Sequence, residues 1–544
     1  MNAINEMNNW ITIQFGGNKK KKWNTLSHNG VLFPPEYIKH GIPVNYDGLD
    51  VELDIESEEY ATIYAKYITT EYINNPIFKK NFWNDWKIIL GKSHQIQSLD
   101  KCNFQKIYDY LMEQKEIKKN KDDDEKNKQK EFEEKYKIAI VDGKEQPVGN
   151  FRIEPPGIFI GRGCNPKLGK IKKRIYPEDI IINIGKEAQI PKPLSGHQWG
   201  DVIHDKTVEW LASWKDDITG KIKYVWLGVS SDFKAKSDLK KFDLARKLKR
   251  KIKTIQEINN KNLSNNTEYL RQIATALYFI DNFALRVGNE KGDDEADTVG
   301  VTSLRVEHIE LLDNNTVNLD FLGKDSVRFN RKLVVDPQVY KNLKEFIQKK
   351  SKDSDLFDKI NSNDINKYLQ LLMPKLTAKV FRTYNASKLF QKELKKITTK
   401  YKDYEESDKI NILLDEFNKA NAKVALLCNH QKNINKNNNK QIEKINETIK
   451  KAKAQLRKAR KSSKRSVEKI EKLKDKIKKL KLKKELKIEL KNVSLGTSKV
   501  NYIDPRITVA FMKNNNIPMD KIFSKALQEK FKWAIDSVDL DFKW

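Results

Sequence analysis

Apolar positions recur along this chain in several rhythms, and each predicts an element. From Tyr269 to Leu285 they fall at helical spacing on a nearly continuous apolar face, which predicts a buried helix. Val317 to Leu322 alternates apolar with polar, as a half-buried strand does. It runs into Gly323-Lys324-Asp325-Ser326, a hairpin turn signal. Short apolar runs at Ile138–Val141 and Ile180–Ile182 predict further strands, and Leu244 to Ile255 predicts a basic helix. Trp23 to about Lys118 is aromatic-rich and broken by turn signals, which reads as a mixed α/β lobe. Residues 113–136 interleave Lys, Glu and Asp, a solvated helix and hinge. Later, Ile442, Ile445, Ile449, Ala452, Leu456 and Ala459 are spaced by three and four. Val467, Ile470, Leu473, Ile477 and Leu480 repeat the pattern after an interruption at Lys461–Ser466. That predicts an antiparallel helical hairpin with a thin apolar seam. Asp504-Pro505 starts another helix, with Asp at the N-cap and Pro in the first turn.

At 544 residues the chain has room for two to four domains. Charge narrows the function. The formal net charge is +30, too large for a solubility device, and it points to a polyanionic partner, nucleic acid first. No apolar run approaches the roughly 18 residues that span a bilayer, so a membrane role is not expected. Residues 431–490 hold 20 Lys, 3 Arg and 7 acidic residues, so the predicted hairpin carries over half of the net charge. Cys102, Cys164 and Cys428 are few, odd in number and far apart, as in a reducing compartment without a cysteine metal site. No Walker A pattern is present, so ATP hydrolysis is not expected. Gly161 to Arg174 is a glycine- and proline-punctuated loop with Lys167, Lys170, Lys172, Lys173 and Arg174. Its glycines would let backbone N–H groups approach phosphates while the cations neutralise them.

Five residues carry candidate chemistry. Arg286 follows the apolar helix, Lys324 sits on the hairpin turn, Arg382 lies inside an apolar-flanked helix, and His430 ends the run Val424–His430. Tyr502, one of nineteen tyrosines, precedes the Asp504-Pro505 helix start. Singly, each reads as a structural residue: a helix end, a solvated turn, a buried arginine needing a partner. Together they form what metal-free phosphodiester transesterification requires. Two arginines and a histidine stabilise charge on the non-bridging oxygens, a lysine protonates the leaving 5′ oxygen, and the tyrosine is the nucleophile.

The same segments carry a family resemblance. Asn150–Gly157, Pro177–Asn183, Ala284–Lys291, Phe321–Ser326, Leu376–Ser387, Cys428–Gln431 and Leu495–Ala510 resemble, in order, the eukaryotic-type DNA topoisomerase IB family. The resemblance covers nearly the whole chain from Trp23. It implies a multidomain α+β fold, a bilobed clamp around double-stranded DNA acting as a monomer. Its parts would be a flexible N-terminus (1–22), an upper core (23–231) with a cap (about 35–118), a catalytic core (232–433), a coiled-coil linker arm (434–491) and a C-terminal domain (492–544). It makes Arg286, Lys324, Arg382 and His430 the catalytic set and Tyr502 the nucleophile, with no ATP and no obligatory metal. It places Arg162, Asp325 and Asn501 near the cleaved step, where camptothecin-type inhibitors also bind. Lys223, Tyr224, Lys291, Thr298 and Lys379 match other DNA contacts. Asn289 and Thr377, within the matching segments, and Lys167, Lys172 and Lys173 complete the expected DNA surface.

Departures concern clamp closure. Ile160 stands where the family commonly has arginine, Asn165 replaces a frequent histidine, and the 291–297 loop is one residue short. The long charged N-terminal extension of many relatives is almost absent. A nuclear location is expected, or a virus factory or virion if the Asn/Lys-rich composition reflects a viral genome. Two alternatives stand beside the topoisomerase: a site-specific tyrosine recombinase, which uses a similar residue set, and a non-catalytic DNA-binding scaffold.

Overall fold

A computed structural model describes residues 20–119, 123–289, 295–406, 408–431, 436–461, 467–489 and 493–544. The chain divides into two compact units. One holds the described residues up to Lys236 together with 295–296, and the other holds 237–289 and those from Asp297 on.

The first unit is mixed α/β and has two apolar cores. In one, the strand Ile180–Asn183 lies between Trp210–Lys215 (antiparallel) and Asp201–Ile203 (parallel), and Ile222–Trp226 pairs outside Trp210–Lys215. A second sheet pairs Leu26–His28 with Ile138–Val141 and Lys144–Pro147. Both predicted strand runs are therefore strands, and Ile180, Ile182, Leu211 and Val225 are fully or almost fully buried. The other core gathers on the helices Ile55–Ala65 and Pro76–Leu90, where Phe78, Phe82 and Trp86 have no exposed surface. Their spacing of four puts the three rings on one helical face.

This helix also holds the basic loop. The Asn81 amide donates to the carbonyls of Pro166 and Leu168 at 2.7 and 2.8 Å. Gly169 adopts φ +92°, and a Cβ there would lie 2.2 Å from the Phe78 carbonyl oxygen. A Cβ on Gly161 would lie 2.5 Å from Asn165 Cβ. Close packing within and beneath the loop is therefore enough to require glycine at both positions.

The second unit is mostly helical around one continuous core that runs from Ala245 to Trp544. Its helices include Asp232–Leu263 (from Ser237 on), Glu268–Phe283, Pro337–Ile347, Ser362–Leu372, Ala378–Lys400 and Lys409–Leu427. One antiparallel sheet interrupts them: Ile309–Leu312, Thr316–Gly323 and Val327–Val334. Along its central strand Val317, Leu319 and Phe321 are buried and their neighbours are not, as the alternation predicts. Helices Lys436–Lys461 and Val467–Glu489 pack on each other and bury Ile449, Ala452 and Ile477. Most of the interruption between them lies outside the described residues. The segment after this pair rejoins the main core through Ile503, Ile507, Phe511 and Phe531.

Candidate active site

The five candidate residues all belong to the second unit and line one cleft of about 1260 Å³. Each is delivered by the end or turn of a different element.

Arg382 sits one turn into Ala378–Lys400 and is only 4% exposed. A buried guanidinium needs compensation. It comes from peptide carbonyls rather than from a carboxylate. Nη1 donates to the Ala284 carbonyl, and Nη2 donates to that of Cys428 at 2.8 Å. Both carbonyls lie at helix C-termini, where the peptide dipoles place partial negative charge. Ala284 closes the helix Glu268–Phe283 in the left-handed conformation (φ 52°, ψ 34°), which costs an alanine about 1–2 kcal/mol. The apolar run Tyr269–Leu285 therefore predicts a helix two residues too long. The backbone reverses hand at the point where the carbonyl must face Arg382. Arg382 Nε is buried with no partner among the described residues, a donor left for an incoming anion.

Left-handed residues cluster around the cleft. Besides Ala284 they are Asp325 (φ 67°), Ser326 (φ 56°), Lys375 (φ 65°) and Asn429 (φ 53°). Residues held in such costly backbone conformations cluster at active sites and ligand clamps. Asp325 and Ser326 make the tight turn that presents Lys324, which is exposed at the hairpin tip with no ion pair among the described residues. Arg286 is half-buried two residues beyond Ala284. Its loop is held where Gly288 meets Gly300: a Cβ on Gly300 would lie 2.4 Å from Gly288 Cα. The amide of Val301 donates to the Arg286 carbonyl at 2.9 Å.

His430 lies three residues beyond the end of Lys409–Leu427 and is 8% exposed. Burial first, then the charges of Arg382 and Arg286, push its pKa down to about 3, so the imidazole is neutral. Its Nδ1 is 2.6 Å from Ser498 Oγ and its Nε2 is 3.4 Å from Arg382 Nη2. Tyr502 follows a short helix, Leu495–Asn501, that the sequence pattern does not reveal. Its ring lies 5.1 Å from that of His430, and Arg382 Cζ lies 5.0 Å from its centroid. Two hydrogen bonds fix the turn: Ser387 Oγ donates to the Tyr502 carbonyl at 3.2 Å, and the Asp504 amide donates to Ser387 Oγ at 3.0 Å. Asp504 caps Pro505–Asn514 through the Arg506 amide, as its sequence predicts.

The cleft wall holds ten Lys or Arg side chains against two carboxylates, Asp243 and Asp325. Thr377, Lys379, Asp325 and Asn501 line it, and Thr377 Oγ1 is buried without a partner among the described residues. Sequence reading missed Lys240, Lys241, Arg246, Lys247 and Arg250. All five come from the helix Asp232–Leu263, where Arg246, Lys247 and Arg250 lie within one turn of the predicted basic helix and could have marked a face. Ser498 was missed as well. Asn289 is exposed, Thr298 is buried, and Lys291 lies outside the described residues, as does most of the 291–297 loop.

Arg162, Lys167, Lys172, Lys173, Lys223 and Tyr224 belong to the first unit. Arg162 and Lys173 are exposed on the loop. Lys172 and Lys223 share the Glu154 carboxylate, and Lys223 also meets Asp216 at 2.6 Å. Lys167 Nζ donates to the Ile218 carbonyl at 2.7 Å. Tyr224 packs between Trp210 and Trp226. Among the described residues there is no group of His, Cys, Asp and Glu arranged to hold a metal ion, and no helix long and apolar enough to cross a membrane.

Three family models match successive parts of the chain. Residues 21–227 match the DNA-binding fragment of eukaryotic DNA topoisomerase I, 230–463 its catalytic core, and 474–544 the C-terminal topoisomerase domain. The chain is 46% identical to DNA topoisomerase 1 beta of Arabidopsis thaliana over 557 residues, covering 97% of this chain and 60% of the relative. It is 42% identical to DNA topoisomerase 1 of Homo sapiens over 556 residues, covering 96% and 72%. With DNA topoisomerase 1 of Caenorhabditis elegans it shares 45% over 544 residues, covering 95% and 67%. This chain belongs to the eukaryotic DNA topoisomerase I family. It spans about three fifths of the length of the Arabidopsis relatives it matches. These relatives are from cellular eukaryotes and lend no support to a viral setting.

Proposed function

We propose that the chain is a type IB DNA topoisomerase that relaxes positive and negative supercoils without ATP or an obligatory metal. Tyr502 attacks a backbone phosphorus and becomes joined to the 3′ phosphate, while the free 5′ end swivels and its hydroxyl then reseals the strand. Arg286, Arg382 and His430 hold the non-bridging oxygens, where charge accumulates in the transition state. Lys324 gives its proton to the leaving 5′ oxygen. The phosphotyrosine conserves the energy of the broken bond.

The observation that carries this reading is the convergence of the five side chains on one basic cleft, with an unused Nε–H on a buried arginine. In this reading the empty-state pKa of His430 is not its working value. A phosphate beside it opposes the two arginine charges and raises the pKa. The remaining assignments belong to the same proposal. The first unit supplies the cap and upper core of a clamp on duplex DNA, and the paired helices Lys436–Lys461 and Val467–Glu489 form a coiled-coil arm that restrains swivelling. Camptothecin-type inhibitors bind at the cleaved step beside Asn501, Asp325 and Arg162. The enzyme works as a monomer in the nucleus.

Supercoiled plasmid incubated in chelator without nucleotide tests the reading. Wild type relaxes both supercoil signs, and Tyr502→Phe relaxes neither and forms no covalent adduct. A requirement for magnesium or ATP, or an active Tyr502→Phe, refutes it. Synapsis of two specific sites would favour a recombinase instead.

A further inference from the structure

We infer that Ser498 is a positioning residue for His430, and that its hydroxyl reverses hydrogen-bond direction when phosphate enters the cleft. This lets the imidazole carry its proton on Nδ1 when empty and on Nε2 when loaded, without moving the ring. The inference rests on the proposed strand-cleavage reaction and adds a device to it.

The geometry is closed on both sides of the ring. Nδ1 faces Ser498 Oγ at 2.6 Å, and Ser498 has no exposed surface. Nε2 faces Arg382 Nη2 at 3.4 Å. A guanidinium only donates, so in the empty cleft Nε2 offers its lone pair and Nδ1 carries the proton, donated to Oγ. A phosphate oxygen only accepts. To bind it, His430 must present Nε2–H, and Nδ1 must then accept a hydrogen bond. A hydroxyl serves both states by rotating about its C–O bond. A carboxylate or a carbonyl in its place would hold the proton on Nδ1. The exchange moves no heavy atom: one proton leaves Nδ1 for water, one arrives at Nε2 from water, and the net charge is unchanged. In the empty cleft burial and the two neighbouring arginines hold the ring neutral, and a change of tautomer supplies the Nε2–H donor without adding a charge.

Ser498 also ties this exchange to the tyrosine. Its backbone carbonyl accepts from the amides of Tyr502 and Ile503, each at 3.0 Å, and the Ser494 amide donates to the His430 carbonyl at 2.8 Å. Ser498→Ala keeps these backbone bonds and removes only the hydroxyl.

Single-turnover cleavage of a duplex oligonucleotide tests the assignment. Ser498→Ala is expected to slow formation of the Tyr502 adduct about 10- to 100-fold with duplex Kd unchanged, and to lower the Tm because the buried Nδ1–H loses its acceptor. Ser498→Thr recovers most of the rate. Adding Ser498→Ala to His430→Ala costs nothing further, because the serine acts only through the ring. Nitrogen-15 NMR of histidine-labelled Tyr502→Phe should show His430 as the Nδ1–H tautomer alone and Nε2–H with the same duplex bound. Wild-type cleavage by Ser498→Ala, a double variant slower than His430→Ala, or one tautomer in both states overturns the inference alone. Absence of any Tyr502-dependent cleavage by wild type overturns it together with the proposed reaction.

Discussion

Lys167, Lys172 and Lys223 of the first unit and the candidate catalytic cations Arg286, Lys324 and Arg382 look alike in sequence, yet they stand in different electrostatic states. Lys172 and Lys223 are ion-paired to Glu154, Lys223 also to Asp216, and Lys167 is spent on a carbonyl. In the cleft, Arg382 is solvated by peptide carbonyls, and Arg286 and Lys324 have no carboxylate partner among the described residues. Cations paired with carboxylates must give up a partner to take a phosphate. Cations held by neutral dipoles need not. On the proposed reading, the difference separates residues that would bind a phosphate at the cost of a partner from residues that would not.

The largest test falls on Arg382. Arg382→Ala is expected to lower single-turnover cleavage by about a thousandfold, as loss of a transition-state donor does. Arg382→Lys should recover little, because one ammonium cannot reach two helix ends and a phosphate together. Near-normal cleavage by the lysine variant would show that point charge, not the guanidinium fork, is what the cleft supplies.

Next comes Lys324. Lys324→Ala should slow cleavage about a hundredfold. A substrate with sulfur at the bridging 5′ position needs no proton on departure and should restore the rate. If it does not, Lys324 is one more electrostatic contact, and the cleft differs from the first unit only in pairing.

Acid offers a subtler test. His28 in the first unit and His430 in the second are both buried and neutral, with pKa values pushed down by burial to about 4 and about 3. The unfolded chain takes up a proton near pH 6.5 and the folded chain does not. Each histidine therefore favours unfolding increasingly below pH 6.5, by up to about 2 kcal/mol at pH 5. Thermal melts should fall from pH 7 to pH 5. Bound duplex should protect against the His430 part alone, since phosphate raises only that pKa, and His430→Gln should remove that part.

The smallest effect should come from Glu154→Gln, which releases Lys172 and leaves Lys223 paired with Asp216 alone. Duplex affinity is expected to rise about threefold at low salt, with a steeper fall as salt increases. Anisotropy titrations across a salt series measure both. Unchanged affinity would mean that these lysines already reach phosphate while paired.

Much of the scaffold was legible. The alternation at Val317–Leu322 and the three-and-four spacing of the paired helices report burial directly, because one apolar face had to be covered. The Asp504-Pro505 cap is a local rule and held. What the pattern could not show is where backbone hand reverses. The apolar run through Leu285 continues past the helix end because Ala284 and Leu285 remain buried without being helical. In the basic loop the pattern could not show that Gly161 and Gly169 also answer to steric contacts with Asn165 and Phe78, the latter far away in sequence. Likewise, the resemblance identified His430, but nothing local in the sequence pointed to Ser498, 68 residues on, because their meeting is purely tertiary.

The two helix ends that hold Arg382 have a further meaning for repeated turnover. A carboxylate counterion would have to be displaced each time DNA arrived and recaptured each time it left, and a mobile side chain would have to find its place again in between. Peptide carbonyls fixed by helices Glu268–Phe283 and Lys409–Leu427 neither leave nor compete. These two contacts need no rearrangement when an anion enters the cleft, and in the proposed reaction each cycle would begin with their dipoles already aligned.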